Sequence, residues 1–128
     1  MKYLVCPVCQ SELDITIQNQ NGEEIIRGEL LCHQCSKIFP IIRSIPRLLP
    51  DTISQEKQET SSAFGWEWQQ FRQMMSVDEY QKQFLDWIHP VSSDFIQNKV
   101  VLDAGCGMGR FPMIASRFGA KDVILLLI

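Results

Sequence analysis

The sequence predicts an α+β chain in which a small β module is followed by a helical linker and then by one β-α-β unit. Three observations predict it: two Cys-x-x-Cys pairs set among short β-type runs before residue 50, a switch to helical spacing of aromatic residues after Ala63, and a glycine-rich turn between an apolar strand and a helix. The expected divisions are 1–50, 51–98 and 99–128. At 128 residues, with 45% apolar content and a formal net charge of −3, the chain has a globular composition with room for one modest domain or two small ones.

The β module is read from "KYLV" before the first cysteine pair, "LDITI" after it, "NQNG" as a hairpin tip and "EIIRGELL" leading into the second pair. Pro40, Pro46 and Pro50 exclude a long helix through "IFPIIRSIPRLLP" and favour an extended edge segment. "DTISQEKQETSS" is polar and reads as a linker or a weakly held helix. From Ala63, Phe64, Trp68, Phe71 and Met75 fall on one helical face, expected to be core, while Trp66 falls on the opposite side. A second helix is expected over Val77–Ile88, with Ser76 as N-cap and Tyr80, Phe84, Trp87 and Ile88 buried; His89-Pro90 ends it. After a turn around "SSDF", "KVVLDAG" reads as a buried parallel strand and "RFPMIASRF" as a helix that tolerates Pro112 in its first turn. Gly119 stops that helix, and "DVILLLI" reads as a second strand.

Charge and targeting features narrow the function classes. Residues 1–50 carry five Lys or Arg against five acids, so the net charge comes from residues 51–128, and neither part has the basic stripe of an unaided nucleic-acid binder. "MKYLV" ahead of Cys6 has no secretory-length apolar core, and the longest aliphatic run, Val123 to Ile128, is too short to span a bilayer. A cytoplasmic location without membrane association is expected. In that compartment thiols stay reduced, which turns attention from disulfides to metal.

Cys6-Pro-Val-Cys9 and Cys32-His-Gln-Cys35 are separated by 22 residues. Two intervening residues let both thiolates of a pair converge on one ion from a tight turn, and two such turns supply the closed four-sulfur shell that structural zinc favours. Iron in a rubredoxin-like site is the competing reading, and a redox dithiol is a weaker one because neither pair adjoins a β-α-β pattern of its own. Four sulfurs already complete the shell, so His33 reads as a solvent-facing knuckle residue. A closed shell leaves no open position for catalysis at the ion. A module of about 50 residues buries little surface, so the ion is expected to supply much of its folding energy.

The segments "LVCPVCQSEL", "GELLCHQCSKIFPI" and "SIPRLLP" resemble the zinc-ribbon family of methyltransferase activators over Met1 to Pro50. That family usually has an Asp-Gly turn where this chain has Arg43-Ser44. The resemblance implies a scaffold or partner surface associated with methyl transfer, either as a separate activator or fused ahead of an enzyme.

In "VVLDAGCGMGR", Asp103, Gly105, Cys106, Gly107 and Gly109 follow an apolar strand and precede a helix. Glycine permits close backbone approach and unusual φ values there, and helix N–H groups point into the same space. Arg110 stands where the dinucleotide fingerprint requires its last glycine, which argues against NAD or FAD. The Asp-x-Gly-x-Gly-x-Gly spacing resembles the first motif of class I S-adenosylmethionine-dependent methyltransferases, whose domain is Rossmann-like. The resemblance implies that Asp103 holds the methionine amino end and that the loop from Gly105 to Gly109, Cys106 included, packs against the cofactor. Cys106 reads as a small buried filler rather than a nucleophile, and no catalytic residue is assigned.

In such enzymes the second strand ends in an acid that binds the cofactor ribose; here that place falls near Leu127. The expectation is therefore the N-terminal fragment of a fused zinc ribbon and methyltransferase, inactive alone and binding S-adenosylmethionine weakly or not at all. An out-of-frame reading of the final "LLLI" would account for the lost acid. The alternative is a stand-alone zinc-ribbon adaptor that binds or activates a methyltransferase. The methyl acceptor is unreadable from the sequence.

Overall fold

A computed structural model describes residues 2–49, 52, 54–70 and 75–127, without the side chains of residues 56, 58 and 67–69. The chain forms two compact units, Met1–Ile53 and Ser54–Ile128. Among the described residues no helix is long and apolar enough to cross a membrane.

The first unit is a four-stranded antiparallel sheet in the order β1 (Asp14–Asn21), β2 (Glu24–Leu31), β3 (Ile38–Ile42) and β4 (Ile45–Pro46). Gly22, with φ +60°, supplies the left-handed residue at the β1–β2 turn. The ladder from Asp14↔Leu31 is interrupted near Gln18, where the register shifts by one residue. Gly28 sits where the strands press closest: an added Cβ would lie 2.5 Å from the Thr16 carbonyl oxygen. Alternation in β3 turns Phe39 and Ile41 inward and leaves Ile38, Pro40 and Ile42 outward. The small core is Cys6, Leu30, Cys32, Phe39 and Ile41, so two of its five members are cysteines.

The proline-rich segment is not one extended edge strand. It folds back at Arg43 and Ser44, with φ of 52° and 66°, so that β3 lies between β2 and β4. Pro40 is accommodated because its carbonyl accepts from Arg47 N–H at 2.8 Å, so that its nitrogen also faces away from β2 and the β2–β3 ladder needs no proton from it.

In the second unit, α1 (Gln55–Gln70) begins earlier than the aromatic spacing suggests, because the polar "QEKQETSS" contains no breaker and Ser54 Oγ accepts from Lys57 N–H at 3.4 Å. Phe64, expected in a core, is half exposed, and Trp66 is exposed. The Trp68 side chain and Phe71, which would complete that face, lie outside the described residues. Helix α2 (Val77–Ile88) starts at a full capping box, with Glu79 N–H donating to Ser76 Oγ and Ser76 N–H donating to the Glu79 carboxylate. Tyr80 and Phe84 are buried as expected; Trp87 is 68% exposed, its ring only edging Phe111 at 4.8 Å between centroids.

A short 3-10 turn (Ser93–Ile96) leads into β5 (Val100–Ala104), α3 (Arg110–Arg117) and β6 (Asp122–Leu126). β5 and β6 pair in parallel from Val100↔Asp122 to Ala104↔Leu126. Tyr80, Phe84, Ile96, Ile114 and Ala115 form the core, and Arg110 both donates to the Tyr80 hydroxyl at 3.2 Å and lies over its ring. β5 is not the fully buried strand that its apolar run suggests. Val101 and Asp103 are partly covered, whereas Val100 and Leu102 are 48% and 61% exposed, because α3 covers one face of the two-stranded sheet and no described element covers the other.

Candidate metal centre

Cys6 and Cys9 lie on the turn before β1, and Cys32 and Cys35 on the turn between β2 and β3. The two turns repeat one geometry. Cys6 N–H donates to the Ser11 carbonyl at 2.8 Å, and Cys32 N–H donates to the Lys37 carbonyl at 2.9 Å, five residues on in each case. The residue after each second cysteine, Gln10 or Ser36, takes a left-handed φ of 62° or 58°. This backbone reversal brings the two sulfurs of each turn to the same side.

The antiparallel hairpin of β1 and β2 then carries the two turns to one end of the sheet. All four ligand sulfurs lie within 4.8 Å of one another, with Cys6 Sγ 3.5 Å from Cys35 Sγ and Cys9 Sγ 3.4 Å from Cys32 Sγ. A tetrahedron with zinc–sulfur arms of about 2.3 Å has edges of about 3.8 Å. The four thiols therefore fit one tetrahedral ion with displacements of a few tenths of an ångström. Cys6 and Cys32 are fully buried and Cys9 and Cys35 partly so, which gives the cluster a sheltered side and an accessible side.

The thiols differ in acidity. Hydrogen bonds from the Ser11 side chain, then from its backbone, bring Cys9 down to about 6. For Cys35, the Lys37 backbone hydrogen bond lowers the value, but burial and the sulfurs of Cys32, Cys6 and Cys9 together outweigh it and push the thiol up to about 12. Four sulfurs this close cannot all ionise without a cation, and a coordinating cation deprotonates its thiols outright. Ser11 and Lys37 are supports that the cysteine spacing did not reveal; their shared signal is the position five residues after the first cysteine of each pair.

His33 is not in the cluster: its ring is exposed and its Nε2 lies 2.6 Å from an Asp14 carboxylate oxygen. The glycine-loop residues are far along the chain, in the second unit. Gly105, Gly107 and Gly109 have φ of 96°, 51° and 76°, and the N–H groups of Gly105 and Cys106 both donate to the Leu126 carbonyl, tying the loop to the end of β6. Asp103, at the end of β5, has a buried oxygen, Oδ2, without a hydrogen-bond partner. Burial, and then the Asp103 charge, push the Cys106 thiol up, which suits a protonated, unreactive sulfur.

Comparison with known proteins addresses the first unit. A family model described as Trm112p-like protein matches residues 1–44. Among solved structures, one chain of a complex between the Haloferax volcanii Trm112 methyltransferase activator and a candidate methyltransferase is 38% identical, covering 37% of this chain and 80% of that one, with a TM-score of 0.36. No curated protein matches. These findings overturn the expectation that the chain is the N-terminal fragment of an S-adenosylmethionine-dependent methyltransferase. The match falls on the four-cysteine module, and the glycine loop, which suggested the enzyme, lies outside it. A β-strand, glycine turn and helix recur in many α/β contexts, so the loop spacing alone does not carry an enzyme assignment. By the family match and its four-thiol site, residues 1–44 are a Trm112p-like zinc-ribbon module.

Proposed function

We propose that this chain is a zinc-ribbon adaptor that binds a methyltransferase and supports its activity, without catalysing methyl transfer itself. The supporting observation is the Trm112p-like match over residues 1–44, which contains all four clustered cysteines. In this reading Cys6, Cys9, Cys32 and Cys35 hold one structural Zn²⁺. The ion fixes the sheet, and S-adenosylmethionine belongs to the partner. Four retained thiolates call for a reducing compartment, so the work is placed in the cytoplasm. The β5–α3–β6 segment acts as a Rossmann-like structural unit, its glycine turn serving the chain reversal into α3.

The ribbon has the surface a partner needs. Ile38, Ile42 and Ile45 project from β3 and β4 at 58%, 47% and 39% exposure, giving an apolar strip on a module that is charge-balanced. The test is co-expression with each class I methyltransferase of the same organism. One of them should co-elute with the metal-loaded chain and transfer methyl groups faster in its presence, and the Cys32→Ser variant should lose both effects. Failure of every such enzyme to associate with the metal-loaded chain overturns the proposal.

A further inference from the structure

The far edge of β5 carries a pattern that suits a second copy of itself. Among the described residues β5 pairs only with β6. The Lys99 carbonyl accepts from Lys121 N–H, and Gly105 N–H donates to the Leu126 carbonyl, so the odd-numbered residues turn their backbone groups toward β6. In a parallel ladder the intervening residues, Val100, Leu102 and Ala104, then direct their N–H and C=O groups to the open edge. A groove of about 520 Å³ is lined by β5 from Lys99 to Asp103 and by apolar side chains that include Phe84, Phe111, Trp87, Val91 and Phe95.

The sequence along this edge is self-complementary. If two β5 strands pair antiparallel about a twofold axis at Val101, Val100 of each faces Leu102 of the other and Lys99 of each faces Asp103 of the other. The parity is right: Val100 and Leu102 are the residues whose backbone groups face outward, so each such pair exchanges two hydrogen bonds, while Lys99 and Asp103 meet in the closer, non-hydrogen-bonded positions. Among the described residues neither member makes a carboxylate–ammonium contact within the protomer: the Asp103 side chain, partly exposed, meets no cation, and the Lys99 ammonium sits over the Phe95 ring. Trp87, Phe95, Leu102, Val100 and Val91 are 68%, 64%, 61%, 48% and 43% exposed. At about 150–250 Å² for each large side chain, they offer on the order of 500 Å² of apolar surface, a large part of the roughly 800 Å² per partner in a standard interface.

The geometry points to a symmetric homodimer in which the β5 edges of two chains join antiparallel about Val101, making a continuous four-stranded sheet, β6-β5-β5-β6. The adaptor is then bivalent, with one zinc ribbon on each protomer. This inference rests on the second unit and stands apart from the identity of the ribbon's partner.

The test is the mass of the full, metal-loaded chain in solution by light scattering and sedimentation, with charge-exchange variants. Wild type is expected to be a dimer at micromolar concentration. Lys99→Glu and Asp103→Lys each place two like-charge pairs at the seam and should weaken it about tenfold; the double variant K99E/D103K should recover wild-type affinity. A monomeric wild type, including one that takes up a strand only from a partner protein, overturns the inference, as does a dimer that the single exchanges leave unchanged or the double exchange fails to restore. Val101→Cys guards against loss of folding in the charge variants. At the twofold position the Cα atoms would be about 4.5 Å apart, within disulfide reach, so mild oxidation should yield a covalent dimer that wild type and Val123→Cys do not form. Absence of that cross-link also overturns it.

Discussion

Removing the ion from the first unit should unfold that unit and leave the second standing. Beside two buried cysteines and the partly buried Leu4, Leu13, Ile15, Ile25 and Leu48, its core holds three buried apolar side chains, Leu30, Phe39 and Ile41. At about 1.5–3 kcal/mol each, these three contribute roughly 5–9 kcal/mol, whereas a structural zinc site contributes about 10–16 kcal/mol near neutral pH. Without the ion, a core this small is left to offset the conformational entropy of the whole ribbon. The left-handed Gln10 and Ser36 add to the opposing side. Titrating the purified chain with a chelator, or substituting Cys32→Ser, should therefore abolish the β signal and the amide dispersion of residues 2–49. Trp66, Trp68 and Trp87 all lie beyond Ser54, so tryptophan emission should report the second unit unchanged. Metal analysis should give one ion per folded chain. Persistent dispersion of the ribbon amides after the ion has been stripped would refute the argument.

Two further perturbations have defined outcomes. Replacing Arg43-Ser44 by Asn-Gly should stabilise the metal-loaded ribbon by about 1 kcal/mol, since both positions are left-handed and the relief exceeds the loss of the exposed Ser44–Glu24 hydrogen bond; chemical denaturation measures it. The Glu79 carboxyl is held below its ordinary value near 4.5 by the Ser76 backbone N–H, then by the Ser76 side chain. A depressed value means that the capping box stabilises α2 above about pH 4.5 and loses that contribution as the pH falls through the folded value. Thermal melts of the second unit should show this acid sensitivity, and Glu79→Gln should remove it.

Much of the ribbon was legible because cysteine spacing is a local constraint: two residues between thiols dictate a turn, and two turns dictate a four-sulfur site. The capped helix at Ser76 was legible for the same reason, since its signals sit within four residues. Exposure was less so. Trp87 and Leu102 are apolar and fall in regular elements, yet whether they are covered depends on which neighbours exist, and periodicity cannot supply that. The glycine loop misled in a related way. Gly105, Gly107 and Gly109 do take positive φ, as their spacing implies, but a backbone requirement is met equally well by chain reversal, and the enzyme reading drew more from it than geometry contains. The fold-back at Arg43-Ser44 is carried by neither glycine nor asparagine, the residues that ordinarily mark such turns.

The twin cysteine turns have a consequence for biogenesis. All the ligands fall between Cys6 and Cys35, joined by a single hairpin with close sequence neighbours in contact. Such a segment can capture its ion while later residues are still being synthesised, because among the described residues none after Cys35 joins the cluster. Zinc supply during translation, rather than completion of the polypeptide, then sets when the emerging chain acquires its first rigid part.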